Sequence, residues 1–331
     1  MMYHPGNPEL SNYFPENFNG VPISADGRFM NMGIHFIPGF KEVIKWKREG
    51  NPEKYEKQND RWRPEVIFGG KFLHEKNNCL VWLGHASFYL QFNGKKILID
   101  PVFGNVSLLP RLTPFPAPAA DFRDIDYLLI SHGHRDHCDA PSLKIIAKQN
   151  PRIKIFSGLS MDSVLGNWFS KNQIQTAGWF QRFNLEDEKI KIYYVPARHW
   201  SKRWLNDDNK TLWGGFILQT HDATVYFMGD SGYGDHFKQI ASIFPKPDFC
   251  LMGIGAYKPE WFMGPSHISP ANAVRAFNEM GGRNLIPMHY ATFDLSDEPV
   301  SDPVRKLQEL HKQNEIAGNL KILKPGEQIL I

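Results

Sequence analysis

Cysteine is scarce in this sequence: Cys79, Cys138 and Cys250 are the only three among 331 residues. An odd number at wide spacings argues against a disulfide framework and for a reducing compartment. Long apolar runs are missing as well, and none approaches the ~20 residues that span a bilayer. The opening Met-Met-Tyr-His-Pro-Gly-Asn has neither the charged nor the apolar region of a secretory signal. Nor is there an excess of charge of one sign. Lys and Arg number 38 against 35 Asp and Glu, a net of +3 that is too small to draw the chain to a polyanion. There is no basic stripe, no RNA-binding motif and no repeat of solenoid length. These absences predict a soluble cytoplasmic chain with no nucleic-acid partner, in contact with a membrane only peripherally.

What is present is ordinary globular composition, 42% hydrophobic and 22% charged, enough to bury a full core in one large domain or two small ones. Residues 1–30, rich in Pro, Asn and Gly, read as an irregular arm. Phe36 to Arg48 reads as a basic amphipathic helix, with Phe40, Val43 and Ile44 on one face among Lys41, Lys45, Lys47 and Arg48. Such a helix either packs on the domain or lies at a membrane interface. Residues 49–65 read as a connection. The division is then an N-terminal arm, 1–77, packing on a compact domain, 78–331. In that domain Cys79 to Leu83, Ser87 to Phe92 and Lys96 to Ile99 read as strands, with an Asn93-Gly94 hairpin turn. The Pro-rich Leu109 to Ala120 reads as a binding-site rim. Later strands are expected at Ile153 to Phe156, Ile190 to Val195, Leu212 to Gln219, Thr224 to Met228, Phe249 to Ile254, Asn284 to Met288, Lys321 to Leu323 and Gln328 to Ile331. Helices are expected at Pro141 to Lys148, Pro270 to Met280 and Pro303 to His311, each with Pro at its start.

The most informative stretch is Asp126 to Asp139. Tyr127 to Ile130 is a short apolar run suited to a buried strand. It is followed at once by His132, His134, Asp136 and His137, four metal-ligand types within six residues. Gly133 is read as the residue that lets the backbone turn without a Cβ clash. Imidazole and carboxylate suit zinc, and mixed N/O sites also take manganese or iron(II). Neighbouring side chains in one turn cannot all reach one ion at ~2.0–2.2 Å. A split is expected, with His132 and His134 on one metal and Asp136 and His137 on a second.

The H-x-H-x-D-H pattern resembles the signature of the metallo-β-lactamase-fold hydrolases. That resemblance implies an αβ/βα four-layer sandwich of the α/β class. It also implies three further ligands: a His, a bridging Asp and a last His. His199, Asp230 and His289 each lie just past an expected strand and match them. The implied centre is His132, His134, His199 and Asp230 on one ion, with Asp136, His137, His289 and the same Asp230 on the other. Two divalent cations, zinc first and manganese or iron as alternatives, would convert a bridging water to hydroxide near neutral pH.

Further stretches narrow the resemblance. They are Val81 to Ser87, Pro196 to Ser201, Thr211 to Gly215, Ile254 to Tyr257 with Glu260 to Met263, His267 to Val274, and Met288 to Phe293. Together they are similar to the N-acyl-phosphatidylethanolamine-hydrolysing phospholipases D and their bacterial relatives over residues 78 to 295, with a looser match at Gly27 to Asn31. The resemblance implies attack of the hydroxide on phosphorus, releasing phosphatidate and an N-acylethanolamine. Asp136, Asp230 and His267 are the groups expected to take part. His85 is expected behind a ligand and at the edge of the substrate pocket, with Tyr257, Trp261, Phe262, Met263 and His267 lining that pocket. A phospholipid or other small-molecule substrate, peripheral membrane contact and a homodimer complete the expectations. Two departures stand out: Arg198 precedes His199 where a neutral residue is expected, and Tyr290 follows His289 where Trp is common. Both are expected near the metals. Two other functions stay open, a lactone hydrolase and a non-catalytic metal- or lipid-binding protein. His4, His35, His74, His221, His236 and His311 are expected on the surface.

Overall fold

The computed structural model describes residues 2–33 and 39–331. Strands β4 (Cys79–Gly84), β5 (Ser87–Phe92), β6 (Lys95–Ile99), β7 (Tyr127–Ile130), β8 (Lys154–Gly158) and β9 (Ile174–Ala177) form one sheet. With β17 (Gln328–Leu330) at its edge, that sheet runs in the order β17-β4-β5-β6-β7-β8-β9. The second sheet holds β10 (Gln181–Arg182), β11 (Lys191–Val195), β12 (Gly215–Gln219), β13 (Thr224–Phe227), β14 (Phe249–Gly253), β15 (Asn284–Met288) and β16 (Asn319–Leu320). Its order is β16-β15-β14-β13-β12-β11-β10-β2, where β2 (Ser11–Asn12) comes from the arm.

Alternation along the strands explains the layers. In β4, Leu80 and Trp82 join the core between the sheets, while Cys79, Val81 and Leu83 join the cluster on the sheet's other face. In β7, Tyr127 and Leu129 take the first side and Leu128 and Ile130 the second. Strands buried on both faces read as continuous apolar runs for this reason. Helix α3 (Ala140–Gln149) covers the first sheet through Leu143 and Ile146, and the short α4 (Asp162–Leu165) adds Leu165. Its N-cap Asp139 accepts from Ser142 N–H at 2.9 Å. Helices α5 (His236–Ile243), α7 (Pro270–Met280) and α8 (Asp302–Lys312) contribute Phe237, Ile240, Phe277, Val304 and Leu307 beside the second sheet. The result is the expected αβ/βα sandwich. Strands β6, β7 and β8 run parallel, as do β13, β14, β15 and β16. Their carboxyl ends carry the loops of the site, the usual place for ligands in such sheets.

Several expectations need correction. The arm is not irregular throughout: β1 (Met2–His4) pairs with β3 (Val21–Ile23), and β2 extends the second sheet. Its Leu10, Val21 and Phe29 are buried in the central core, so apolar burial outweighs the local Pro and Gly content. The helix α1 spans Phe40–Glu49; residues 36–38 of the expected helix, and His35, lie outside the described residues. The connection after it contains the short α2 (Lys54–Asn59). The strand expected at Lys321 to Leu323 is displaced to Asn319–Leu320, where pairing with β15 is available. Residues 212–214 lead into β12 without being part of it. His236 is buried, 5% exposed.

Candidate metal centre

Each strand end delivers one part of the site. The 131–139 loop follows β7, His199 follows β11 through Pro196 to Arg198, Asp230 follows β13, and His289 follows β15 directly. Gly229 takes a left-handed φ of +67°, and a Cβ there would lie 2.5 Å from the Gly214 carbonyl oxygen. That glycine turns the chain so that Asp230 enters the space between the sheets' ends. Gly133, by contrast, is not left-handed; a Cβ there would meet Ser201 Oγ at 3.0 Å. Its value is close approach rather than a tight turn. His85, Asp100, His289 and Ala291 are non-glycine residues at positive φ, between 41° and 60°. Such conformations cluster at functional sites.

Two groups of potential ligand atoms result, each within 4.8 Å of one another: His132, His134, His199 and Asp230, and His85, Asp136, His137 and His289. A third set joins Asp230, His267 and His289. In the first group His134 Nδ1 lies 3.0 Å from His132 Nε2 and 3.1 Å from His199 Nε2. The carboxylate Oδ2 of Asp230 is 3.7 Å from His199 Nε2 and 4.0 Å from His132 Nε2. The same oxygen is 3.1 Å from His137 Nε2, while Oδ1 is 3.1 Å from His289 Nε2. One carboxylate therefore touches both groups. Asp136 Oδ2 is 2.9 Å from His85 Nε2, 3.6 Å from His137 Nε2 and 3.7 Å from His289 Nε2.

Hydrogen bonds behind these rings set the tautomers. His199 Nδ1–H donates to the Ser266 carbonyl at 2.9 Å, which leaves a lone pair on Nε2. His137 Nδ1–H donates to Asp100 Oδ2 at 2.8 Å with the same consequence. The Ser131 hydroxyl donates to Asp100 Oδ2, so its oxygen accepts from His132 Nδ1 at 2.9 Å. Lone pairs on His132, His137 and His199 are thereby aimed into one small space. His137 Nε2 and His289 Nε2 are buried without a hydrogen bond, a costly state for polar atoms unless something else meets them. A tetrahedral ion with ~2.0–2.1 Å bonds needs ligand atoms ~3.3 Å apart, close to the separations above. The residues fit divalent cations, and the set of imidazole and carboxylate donors with their hydrogen-bonded supports is a metal site's chemistry.

The charges agree. Burial alone would raise the Asp230 carboxyl, but His137 and His289 hold it well below the usual carboxylate range. Asp136 behaves alike, opposed by burial and held down by His137, His289 and His85. Burial pushes His132 and His199 well below the ordinary imidazole value, which favours the neutral form of both rings. Burial would also lower His137, yet Asp230 and Asp136 raise it well above 6.5; the position attracts positive charge.

Other residues singled out in the sequence fall as follows. His267 is close, its Nδ1 3.8 Å from Asp230 Oδ2, and burial lowers it to about 4. Phe262 and Met263 of α6 (Glu260–Met263) are buried, and Trp261 is 37% exposed with Lys45 Nζ 4.2 Å from its ring centre. Trp46 of α1 stacks on Phe262 at 5.0 Å. Tyr257 instead hydrogen-bonds Asp302 and lines a cavity of about 560 Å³ with Pro52, Pro259, Pro270 and Leu310; none of the seven expected ligands lines that cavity. Tyr290 stacks on Trp82 at 5.1 Å inside the core. Arg198 sends its guanidinium to two backbone carbonyls. Cys138 is buried, its thiol pushed up to about 12 by burial. Supporting residues not singled out from sequence are Asp100, Ser131, Ser266 and Asn31, whose side chain meets both backbone groups of His199 at 2.7 and 3.0 Å. An acidic residue closing an apolar strand, Asp100, was the one available signal.

Comparisons with known proteins agree with this geometry. Residues 95–290 match the β-lactamase superfamily domain. The chain is 32% identical over 316 residues to the N-acyl-phosphatidylethanolamine-hydrolyzing phospholipase D 1 of Caenorhabditis elegans, covering 90% of this chain and 88% of that one. It is 34% identical over 252 residues to the mitochondrial N-acyl-phosphatidylethanolamine-hydrolyzing phospholipase D of Saccharomyces cerevisiae, covering 72% of this chain and 53% of that one. A metallo hydrolase of the archaeon Ignicoccus hospitalis shares the fold with a TM-score of 0.60 at 22% identity, over 77% of this chain and 98% of that one. No helix among the described residues is long and apolar enough to cross a membrane. The chain belongs to the β-lactamase superfamily, as a metal-dependent hydrolase of the metallo-β-lactamase fold.

Proposed function

We propose that this chain is a phosphodiesterase of phospholipase D type acting on glycerophospholipids similar to N-acyl-phosphatidylethanolamine. In this reading it holds two divalent cations, zinc first. His132, His134, His199 and Asp230 hold one; Asp136, His137, His289 and the shared Asp230 hold the other. The observation that carries the reading is Asp230, one carboxylate within 4.0 Å of imidazole nitrogens from both groups. The names of the worm and yeast relatives support the substrate class.

Divalent cations bound there would supply Lewis acidity, lowering the pKa of water and offsetting charge on the phosphoryl oxygens. The chain's own groups supply orientation. Asp136, held by His85 at 2.9 Å, would take the proton of the attacking water. His267 is neutral at pH 7, since burial lowers it to about 4, and its N–H can hold a phosphoryl oxygen. Trp261, Phe262 and Met263 offer an apolar wall for acyl chains.

The test is a matched screen of the metal-loaded protein. It compares N-acyl-phosphatidylethanolamine, bis(p-nitrophenyl) phosphate and a simple lactone. Cleavage of both phosphodiesters, with phosphatidate and an N-acylethanolamine as lipid products, is the expected result. Lactone hydrolysis without turnover of any phosphodiester would overturn the proposal.

A further inference from the structure

Arg198 carries a half-buried positive charge, and among the described residues no carboxylate is recorded as its partner. Its contacts are instead with backbone. Nε donates to the Pro265 carbonyl at 3.1 Å, and Nη1 donates to the Tyr233 carbonyl at 2.6 Å. Its own N–H donates to Ser231 Oγ at 2.9 Å, and its carbonyl accepts from Gly232 N–H at 2.8 Å. Ser231 Oγ in turn meets His236 Nε2 at 3.0 Å.

Three loops are tied at this one residue, and each bears on the same ligand group. The 196–200 loop presents His199. The loop from 229 to 234 presents Asp230. The 264–267 loop presents the Ser266 carbonyl, which sets the His199 tautomer, and then His267. A guanidinium suits this task because its planar fork can bind two carbonyls in a fixed relation, which an ammonium cannot. The other ligand group is braced by Asp100 behind His137 and Thr292 behind His85, with Ser131 touching both Asp100 and His132.

We infer that Arg198 is a positioning residue that holds His199 in register with His132, His134 and Asp230, and so governs the affinity of one metal position and not the other. This inference rests on the reading that these groups hold metal. Asp230 is shared, but its own placement comes from β13 and Gly229, so the effect concentrates on His199.

The experiment is zinc release from the full chain into a competing chelator, followed step by step, with the melting temperature of the metal-free protein recorded alongside. Removing hydrogen-bonded support behind a metal ligand costs about 10- to 100-fold in affinity. For Arg198→Met, one ion is expected to weaken by that factor, the same ion that His199→Ala loses, with the other near wild type. The metal-free melting temperature should stay near wild type. Arg198→Lys keeps the charge without the planar fork and should fall between, which keeps the test alive if the Met variant does not fold. Equal weakening of both ions, or unchanged affinities, overturns the inference. If wild type binds a single ion, the two-ion reading fails. The inference then stands only if Arg198→Met and His199→Ala both weaken that ion.

Discussion

Replacing Asp100 by Asn changes no shape and removes one acceptor, which makes it a sharp probe of the site's support. In the native arrangement Oδ1 accepts from Ser131 N–H at 2.8 Å. Oδ2 accepts from the Ser131 hydroxyl and from His137 Nδ1–H. Asn has one oxygen, so two orientations are available. If that oxygen keeps the Ser131 N–H, the amide NH₂ faces His137 Nδ1. His137 must then move its proton to Nε2, the nitrogen aimed at Asp230. If the amide is turned over, its NH₂ meets the Ser131 N–H, donor against donor in a fully buried pocket. That orientation costs about 1–3 kcal/mol. One orientation forfeits the lone pair of His137, and the other keeps it only at that cost. We expect metal affinity to fall about 10- to 100-fold, or roughly 1.4–2.7 kcal/mol. Chelator competition reads the affinity, and kcat/KM at saturating metal reads whether occupancy restores turnover. An Asn variant with wild-type metal affinity and turnover would refute the argument that Asp100 sets the His137 tautomer.

Three further predictions follow from the same geometry. Asp230→Asn removes the charge common to both ligand groups, and hydrolysis should drop by more than about 100-fold; a variant retaining wild-type kcat would show that the shared carboxylate is dispensable. Gly229→Ala must take a φ of +67° and relieve a 2.5 Å approach to the Gly214 oxygen. It should cost roughly 1–3 kcal/mol in denaturant unfolding, with metal affinity reduced in step, and an unchanged unfolding midpoint would contradict this. His236 is lowered to about 3 by burial and by Arg198, against 6.5 unfolded. Its contribution is therefore fully present above pH 6.5 and lost as pH falls towards 3, about 3 kcal/mol by pH 4. His236→Gln should lose less stability than wild type between pH 7 and pH 4, and parallel pH profiles would rule the linkage out.

Much of this site could be read along the chain because its ligands recur in one kind of place. His132 follows a four-residue apolar strand, and Asp230 and His289 also sit just past a strand end; a short continuous apolar run makes such ends visible. What could not be read is what holds the ligands. Asn31 reaches His199 across 168 residues, and Ser266 offers only a carbonyl, a group every residue has. Arg198 was legible as an anomaly beside a ligand, but its direction depends on where the carbonyls of Tyr233 and Pro265 lie. Tyr257 and Tyr290 show the same limit. An aromatic near a motif can face the site, the core or another cavity, and only the Asp302 contact and the stacking on Trp82 decide. The arm misled for a related reason. Pro, Asn and Gly mark irregular backbone, but Leu10, Val21 and Phe29 pack on a sheet formed far away in sequence.

The most direct test of the central claim is anomalous diffraction, at the metal's absorption edge, from crystals of the zinc-loaded chain. The account predicts two peaks per chain. One should lie among His132, His134, His199 and Asp230, and the other among Asp136, His137, His289 and the opposite oxygen of Asp230. Peaks elsewhere, or none at these side chains in a protein that still hydrolyses phosphodiesters, would contradict it.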